Sequence, residues 1–106
     1  MKVLITGTTT GIGRGIAVKF LAEGHEVIGF DIEKSTIDHE KYTHYIVDVA
    51  EKDKLPDIGG VEILINNAGV QNGGRDVEVN LMGTMYCTEK YGIQPKIKSI
   101  VMQASV

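Results

Sequence analysis

The first thirteen residues, Met1-Lys-Val-Leu-Ile-Thr-Gly-Thr-Thr-Thr-Gly-Ile-Gly13, constrain the fold of this chain more than any other stretch. Val3, Leu4 and Ile5 form a short apolar run halted by Thr6-Gly7, the pattern of a fully buried strand entering a turn. An amphipathic segment begins at once. Ile12, Ile16 and Phe20 recur every four residues with Ala17 and Leu21 beside them, so the sequence predicts a helix over Gly11 to Glu23 with this stripe against a sheet. Gly24 ends it. A glycine-rich turn between a buried strand and a helix start presents unpaired backbone N–H groups and the positive end of the helix dipole to one point, which suits a pyrophosphate. Gly7 permits the tight exit from the strand, Gly11 lets phosphates approach the backbone, and Gly13 lets helix and strand pack closely. A dinucleotide also requires an acid at the end of the following strand. Glu26-Val-Ile-Gly-Phe-Asp31 supplies it about twenty residues beyond Gly7, where Asp31 accepts both ribose hydroxyls.

The rest of the chain repeats the theme of apolar runs that stop in small, acidic or amide residues. Strand one (Lys2 to Thr6) and strand two (Glu26 to Ile32) are parallel neighbours joined by the first helix in a right-handed crossover. Glu33 to Tyr42 is polar and mixed in charge and reads as a loop. Strand three, His44 to Asp48, ends at an acid on the same edge as Asp31; Asp48 reads equally as an adenine contact and as a turn acid before Ala50-Glu51. Pro56 to Gly60 connects to strand four, Val61 to Asn66. A glycine-rich loop, Gln71 to Arg75, precedes a helix over Val77 to Tyr91. Its expected apolar face is Val77, Leu81 and Met85 with Met82 and Tyr86, and its polar face is Asn80, Thr84 and Thr88. Strand five, Lys98 to Ala104, leads to Ser105. The predicted fold is α/β: a doubly wound parallel sheet of order 3-2-1-4-5, with a ligand crevice over strands one and four.

Composition narrows the function classes. At 106 residues, 42% hydrophobic and 24% charged, the chain has the profile of an ordinary globular domain with one small core. A net charge of −3, with its basic residues scattered, points to neither nucleic acid nor an anionic membrane as partner. The single Cys87 excludes an internal disulfide and reads as a small buried or half-buried residue rather than a nucleophile, and no leading charged-then-apolar segment or long apolar stretch suggests export or membrane insertion. A cytoplasmic setting is the resulting expectation.

The Thr6-Gly-x-x-x-Gly-Ile-Gly13 motif resembles the signature of the short-chain dehydrogenase/reductase family, and the similarity continues in order along the chain. Asp48-Val49 resembles the family's acid and apolar residue beside the adenine. Asn66-Asn67-Ala68-Gly69 matches its Asn-Asn-Ala-Gly, Asn80 lies in an Asn-Leu-x-Gly, and Ser105 aligns with the catalytic serine. The resemblance implies a Rossmann-type fold and an oxidoreductase passing a hydride between a nicotinamide and an alcohol or ketone. It also implies a common habit of forming homo-oligomers. It places the cofactor on Gly7, Thr9, Thr10, Gly11, Ile12, Gly13, Asp31, Ile32, Asp48, Val49, Asn67, Ala68 and Gly69, and catalysis on Ser105, which bonds the substrate oxygen, and Asn80, which supports a lysine through water. The short segments Glu51 to Gly60 and 67–79 resemble the 3α-hydroxysteroid dehydrogenase/carbonyl reductase-like branch.

In that family the proton donor is a tyrosine, four residues before a lysine, that follows the serine. Tyr86-Cys-Thr-Glu-Lys90 has this spacing but precedes Ser105, so it is assigned to helix packing and a solvent-facing lysine. The chain is therefore expected to be the dinucleotide-binding first half of a longer enzyme, whose strand five would otherwise be an exposed apolar edge. The alternative is a nonenzymatic nucleotide-binding protein of the same fold. Asp31 accepts the hydroxyls of an NAD ribose and repels the 2′-phosphate of NADP, while Thr10 supplies no basic residue before Gly11 and Arg14 sits on the first helical turn. NAD is the expected cofactor.

Overall fold

The computed structural model describes residues 1–67 and 76–103, the side chains of 76–79 excepted. The five apolar runs form strands β1 (Lys2–Thr6), β2 (Glu26–Asp31), β3 (Tyr42–Ile46), β4 (Ile63–Asn66) and β5 (Ser99–Met102). All pair in parallel in one sheet of order β3-β2-β1-β4-β5. Helix α1 (Gly11–Ala22) crosses from β1 to β2, and α2 (Asp76–Tyr91) lies between β4 and β5 in the chain. The order reverses beside β1, between the connection that leads out to β2 and the one that returns to β4. In open α/β sheets, that reversal creates the ligand crevice at the carboxyl ends of the strands.

Period-two alternation along the strands divides the core into two layers. Val3, Ile5, Val27 and Ile65 pack with Ala17 and Leu21 of α1; Leu4, Ile28, Phe30 and Leu64 pack with Cys87 and Tyr91 of α2 and with Leu55, Ile58 and Val61. Both faces of the central strands are thus covered, which is why they read as continuous apolar runs. Phe30 meets Tyr45 and Tyr91 edge-on, with centroids 5.9 and 5.7 Å away. Each such fully buried large side chain contributes about 1.5–3 kcal/mol of transfer free energy.

Three sequence expectations are corrected. The face of α1 on the sheet is centred on Gly13, Ala17 and Leu21, while Ile12 is 61% exposed and Ile16 and Phe20 only flank the contact. On α2 the buried line is Gly83, Cys87 and Tyr91, and Leu81 and Met85 point outward. Gly83 sits so close to the chain after β3 that a Cβ there would lie 2.4 Å from Val49 Cγ2. In both helices the axis approaches the sheet where side chains are small. The third correction is the register of β3, which begins at Tyr42 and ends at Ile46, two residues before Asp48. A 3₁₀ turn, Lys52–Lys54, also interrupts the connection to β4.

Candidate dinucleotide site

At the carboxyl ends of β1, β2 and β4 the chain builds a cradle around the glycine turn. Gly7 and Gly11 have φ of 78° and 64°, the left-handed region in which a side chain is strained. Gly13 is required for a different reason: a Cβ there would stand 1.9 Å from Gly7 O and 2.3 Å from Asn67 Nδ2. Asn67 fastens the end of β4 to this turn, its N–H donating to Thr6 Oγ1 at 2.9 Å and its Nδ2 to Gly7 O at 3.1 Å.

Not every amide of the turn is available to a ligand. Gly7 N–H donates to Phe30 O at 2.6 Å, and Thr9 N–H donates to Asp31 Oδ2 at 3.0 Å. The anion-facing donors are therefore those of the first turn of α1, Gly11, Ile12 and Gly13, which have no intrahelical acceptor. Thr10, at the N-cap position, makes no side-chain cap bond, and the first turn carries no acidic residue. An N-terminus left this way has the charge and the donors for a phosphate.

Asp31 stands beside that turn in a fixed orientation. Oδ2 accepts from Thr9 N–H, and Oδ1 accepts from Glu33 N–H at 3.0 Å. Each carboxylate oxygen retains a lone pair for a hydroxyl donor. Ile32, next along, is 61% exposed, and so is Ile12 across the turn. Two apolar surfaces thus border the polar cradle.

Thr9 does not turn its side chain toward the cradle. It is buried, and its hydroxyl faces the β2–β3 loop, 3.1 Å from Lys34 O and 3.4 Å from Glu33 O. Asp48 is used by its own turn, Oδ1 accepting from Ala50 N–H at 2.9 Å. This is one of the two roles its sequence position allows equally; Val47 N–H to Asp31 O, at 2.9 Å, keeps the segment beside the site. Asn80 is half-buried on the flank of the buried line of α2. Ala68, Gly69 and Ser105 lie outside the described residues. Tyr86 is part-buried with Lys52 Nζ 5.9 Å from its ring centroid, and Lys90 pairs with Asp57 at 3.0 Å, so this couple serves packing and surface charge. Among the described residues no cluster of histidine, cysteine or acidic side chains could hold a metal ion, and no helix is long and apolar enough to cross a membrane.

Sequence reasoning missed the layer beneath the turn. Thr8 is fully buried, and its Oγ1 lies 2.6 Å from Tyr42 OH, which in turn lies 2.6 Å from His44 Nδ1; His44 Nε2 donates to Glu33 O at 2.9 Å. Gly29 makes room for this chain, since a Cβ there would meet Tyr42 OH at 2.0 Å and Thr8 Oγ1 at 2.4 Å. Burial raises the Tyr42 hydroxyl above its ordinary pKa against the opposing effect of the Thr8 bond, with the Asp31 charge adding to the rise. No local periodicity links residues 8, 29, 42 and 44; the pairing of β2 with both β1 and β3 brings them together.

The family model for short chain dehydrogenases matches residues 1–92. A 3-oxoacyl-[acyl-carrier-protein] reductase of Thermotoga maritima is 31% identical over 63% of this chain and 34% of its own length. An NADPH-dependent 3-dehydrocapnine reductase of Ornithobacterium rhinotracheale is 32% identical over 82% of this chain and 40% of its own. The ligand-free aldohexose dehydrogenase of Thermoplasma acidophilum superposes with a TM-score of 0.82 at 30% identity, covering 98% of this chain and 49% of that one. The chain therefore spans between a third and a half of the length of these proteins. With the sheet order, the glycine turn and Asp31 in their places, the chain belongs to the short-chain dehydrogenase/reductase family of oxidoreductases.

Proposed function

We propose that this chain is the dinucleotide-binding half of an NAD-dependent oxidoreductase that transfers a hydride between the nicotinamide and an alcohol or ketone. The observation that carries the reading is the Asp31 carboxylate, fixed by two backbone amides beside the uncapped start of α1. Gly13 supports the fit, because a side chain there would strike Gly7 O and Asn67 Nδ2 and push the first turn of α1 away from the glycine turn. The coenzyme, when bound, supplies the hydride chemistry. The residues of this chain hold it: the first turn of α1 takes the pyrophosphate, Asp31 the adenosine ribose, Ile12 and Ile32 its apolar surroundings, and Asp48 with Val49 the adenine side. On the substrate side Ser105 bonds the carbonyl oxygen and Asn80 supports the residue that donates the proton.

One relative is NADPH-dependent by name, so the choice of NAD rests on this chain's own residues. A carboxylate at Asp31 repels a 2′-phosphate, Thr10 offers it no charge, and the Arg14 guanidinium is bound to Thr36. The relatives' names specify a 3-oxoacyl group, 3-dehydrocapnine and an aldohexose, so what they share is oxidoreduction rather than a substrate. Titration of the intact protein with NADH and NADPH tests the reading. Asp31→Ala is expected to narrow the preference for NADH by about tenfold, or about 1.4 kcal/mol. An unchanged preference overturns the assignment of Asp31, and an intact protein that binds neither coenzyme overturns the function.

A further inference from the structure

The segment after β2 has no ladder of its own, yet it is fastened to the glycine turn from three sides. Arg14, on the first turn of α1, donates from Nε to Thr36 Oγ1 at 3.0 Å and from a terminal nitrogen to Thr36 O at 3.2 Å. The Thr36 hydroxyl in turn donates to Thr9 O, and the Thr9 hydroxyl donates back to the loop at Lys34 O. From β3, His44 Nε2 donates to Glu33 O. The donor count is consistent: the Thr36 hydroxyl accepts from one group and gives its single hydrogen to another. Thr9 and Glu33, the residues joined by this network, are also the two whose amides hold the Asp31 carboxylate.

We propose that Arg14 and Thr36 form a latch that presets the adenosine end of the dinucleotide site. They are positioning residues that act on the ribose through Thr9, Glu33 and Asp31. This deepens the function proposed above and rests on it. A loop already ordered in the free protein costs a ligand nothing to order, whereas an unlatched one subtracts its ordering entropy from the affinity of whatever binds there. The two-point grip on Thr36 needs the planar fork of an arginine; a lysine supplies charge without that geometry. Arg14 thus holds in place the loop whose Glu33 amide orients the ribose-binding acid, and its exposed position on the helix hides that role.

The test compares AMP, nicotinamide mononucleotide and NADH binding to the intact protein and its Arg14→Ala, Arg14→Lys, Thr36→Val and Thr36→Ser variants. Arg14→Ala and Thr36→Val are each expected to raise the Kd for AMP and NADH about tenfold. Nicotinamide mononucleotide affinity stays as in wild type, because it engages the other end of the site. Thr36→Ser, which keeps the hydroxyl, retains wild-type AMP affinity, and Arg14→Lys falls between wild type and Arg14→Ala. Removing both partners weakens AMP no further than removing one, since the two act as a unit. AMP affinity unchanged within about twofold in both Arg14→Ala and Thr36→Val, or equal losses for AMP and nicotinamide mononucleotide, overturns the latch. So does a Thr36→Ser variant as weak as Thr36→Val. A wild-type protein that binds none of the three ligands would instead strike the proposed function.

Discussion

Two glycines two residues apart on α1 are expected to respond to the same substitution with opposite signs. At Gly13 an added methyl would lie 1.9 Å from Gly7 O and 2.3 Å from Asn67 Nδ2; at Gly15 it meets nothing within 4 Å. Carbon and oxygen atoms rest at roughly 3.5 Å, so Gly13→Ala must drive the start of α1 away from the glycine turn by more than about 1 Å. The atom it strikes is a backbone carbonyl that cannot rotate aside. Overpacking of this kind costs about 1–3 kcal/mol or more, and losing the Asn67 bond to Gly7 O adds about 1 kcal/mol. The intrinsic preference of a helix for alanine returns only about 1 kcal/mol. The net is a loss of about 3 kcal/mol, toward the upper end because the obstacle is main chain. At Gly15 the same preference acts without a clash, and stability rises by about 0.5–1 kcal/mol. Thermal unfolding of the intact protein without coenzyme reads both, each kcal/mol being worth about 2–8 °C according to chain length. A Gly13→Ala protein that melts at or above the wild-type temperature refutes the reasoning, since no closely packed turn could then be present.

Gly29→Ala should lower the unfolding temperature through its collisions with Tyr42 OH at 2.0 Å and Thr8 Oγ1 at 2.4 Å, a cost of about 2 kcal/mol. Adding Tyr42→Phe should restore part of that loss, and a Gly29→Ala protein as stable as wild type would count against the buried chain beneath the turn. Burial pushes the Cys87 thiol up to about 12 from an ordinary 9.0, and burial likewise raises the Tyr91 and Tyr42 hydroxyls above 10.0. These groups hold their protons more tightly folded than unfolded, so the stability they provide is complete below the ordinary values and is lost as pH rises through the folded ones. The urea midpoint should therefore fall from about pH 9 upward, a trend that a flat profile to about pH 11 would contradict. Iodoacetamide at about pH 8 should leave Cys87 unmodified until the protein is denatured. Tyr86→Phe in the intact protein should leave most hydride transfer intact, because Tyr86 packs beneath Lys52 and its helical neighbour Lys90 pairs with Asp57; abolished turnover with a normal fold would overturn that assignment.

The parts of this protein that were legible in its sequence are those set by the backbone. The glycine spacing, the acid after the second apolar run and the order of the strands follow from turn geometry and crossover handedness, which leave a local mark. The helix faces did not read correctly, because a pattern built on bulky residues finds the flanks of a close contact. Ile12 and Leu81 were counted in the stripes, yet the buried line adds Gly13 to Ala17 and Leu21 on one helix and runs through Gly83, Cys87 and Tyr91 on the other. Small residues four apart mark the approach, and hydrophobicity does not weigh them. The start of β3 was hidden similarly, since Tyr42 and His44 belong to an edge strand whose polar atoms are used sideways, toward Thr8 and Glu33, and so do not read as buried. The latch had no signature at all, because Arg14 and Thr36 stand twenty-two positions apart and meet only once β1, α1 and β2 have closed their crossover. A polar loop beside a binding edge is thus a place where sequence patterning fails for a physical reason. Its order comes from single long-range hydrogen bonds, each worth about 1 kcal/mol, rather than from any repeating face. Where such bonds converge on the residues that hold a ligand's acid, as Thr9 and Glu33 hold Asp31, a surface arginine can govern affinity without touching the ligand.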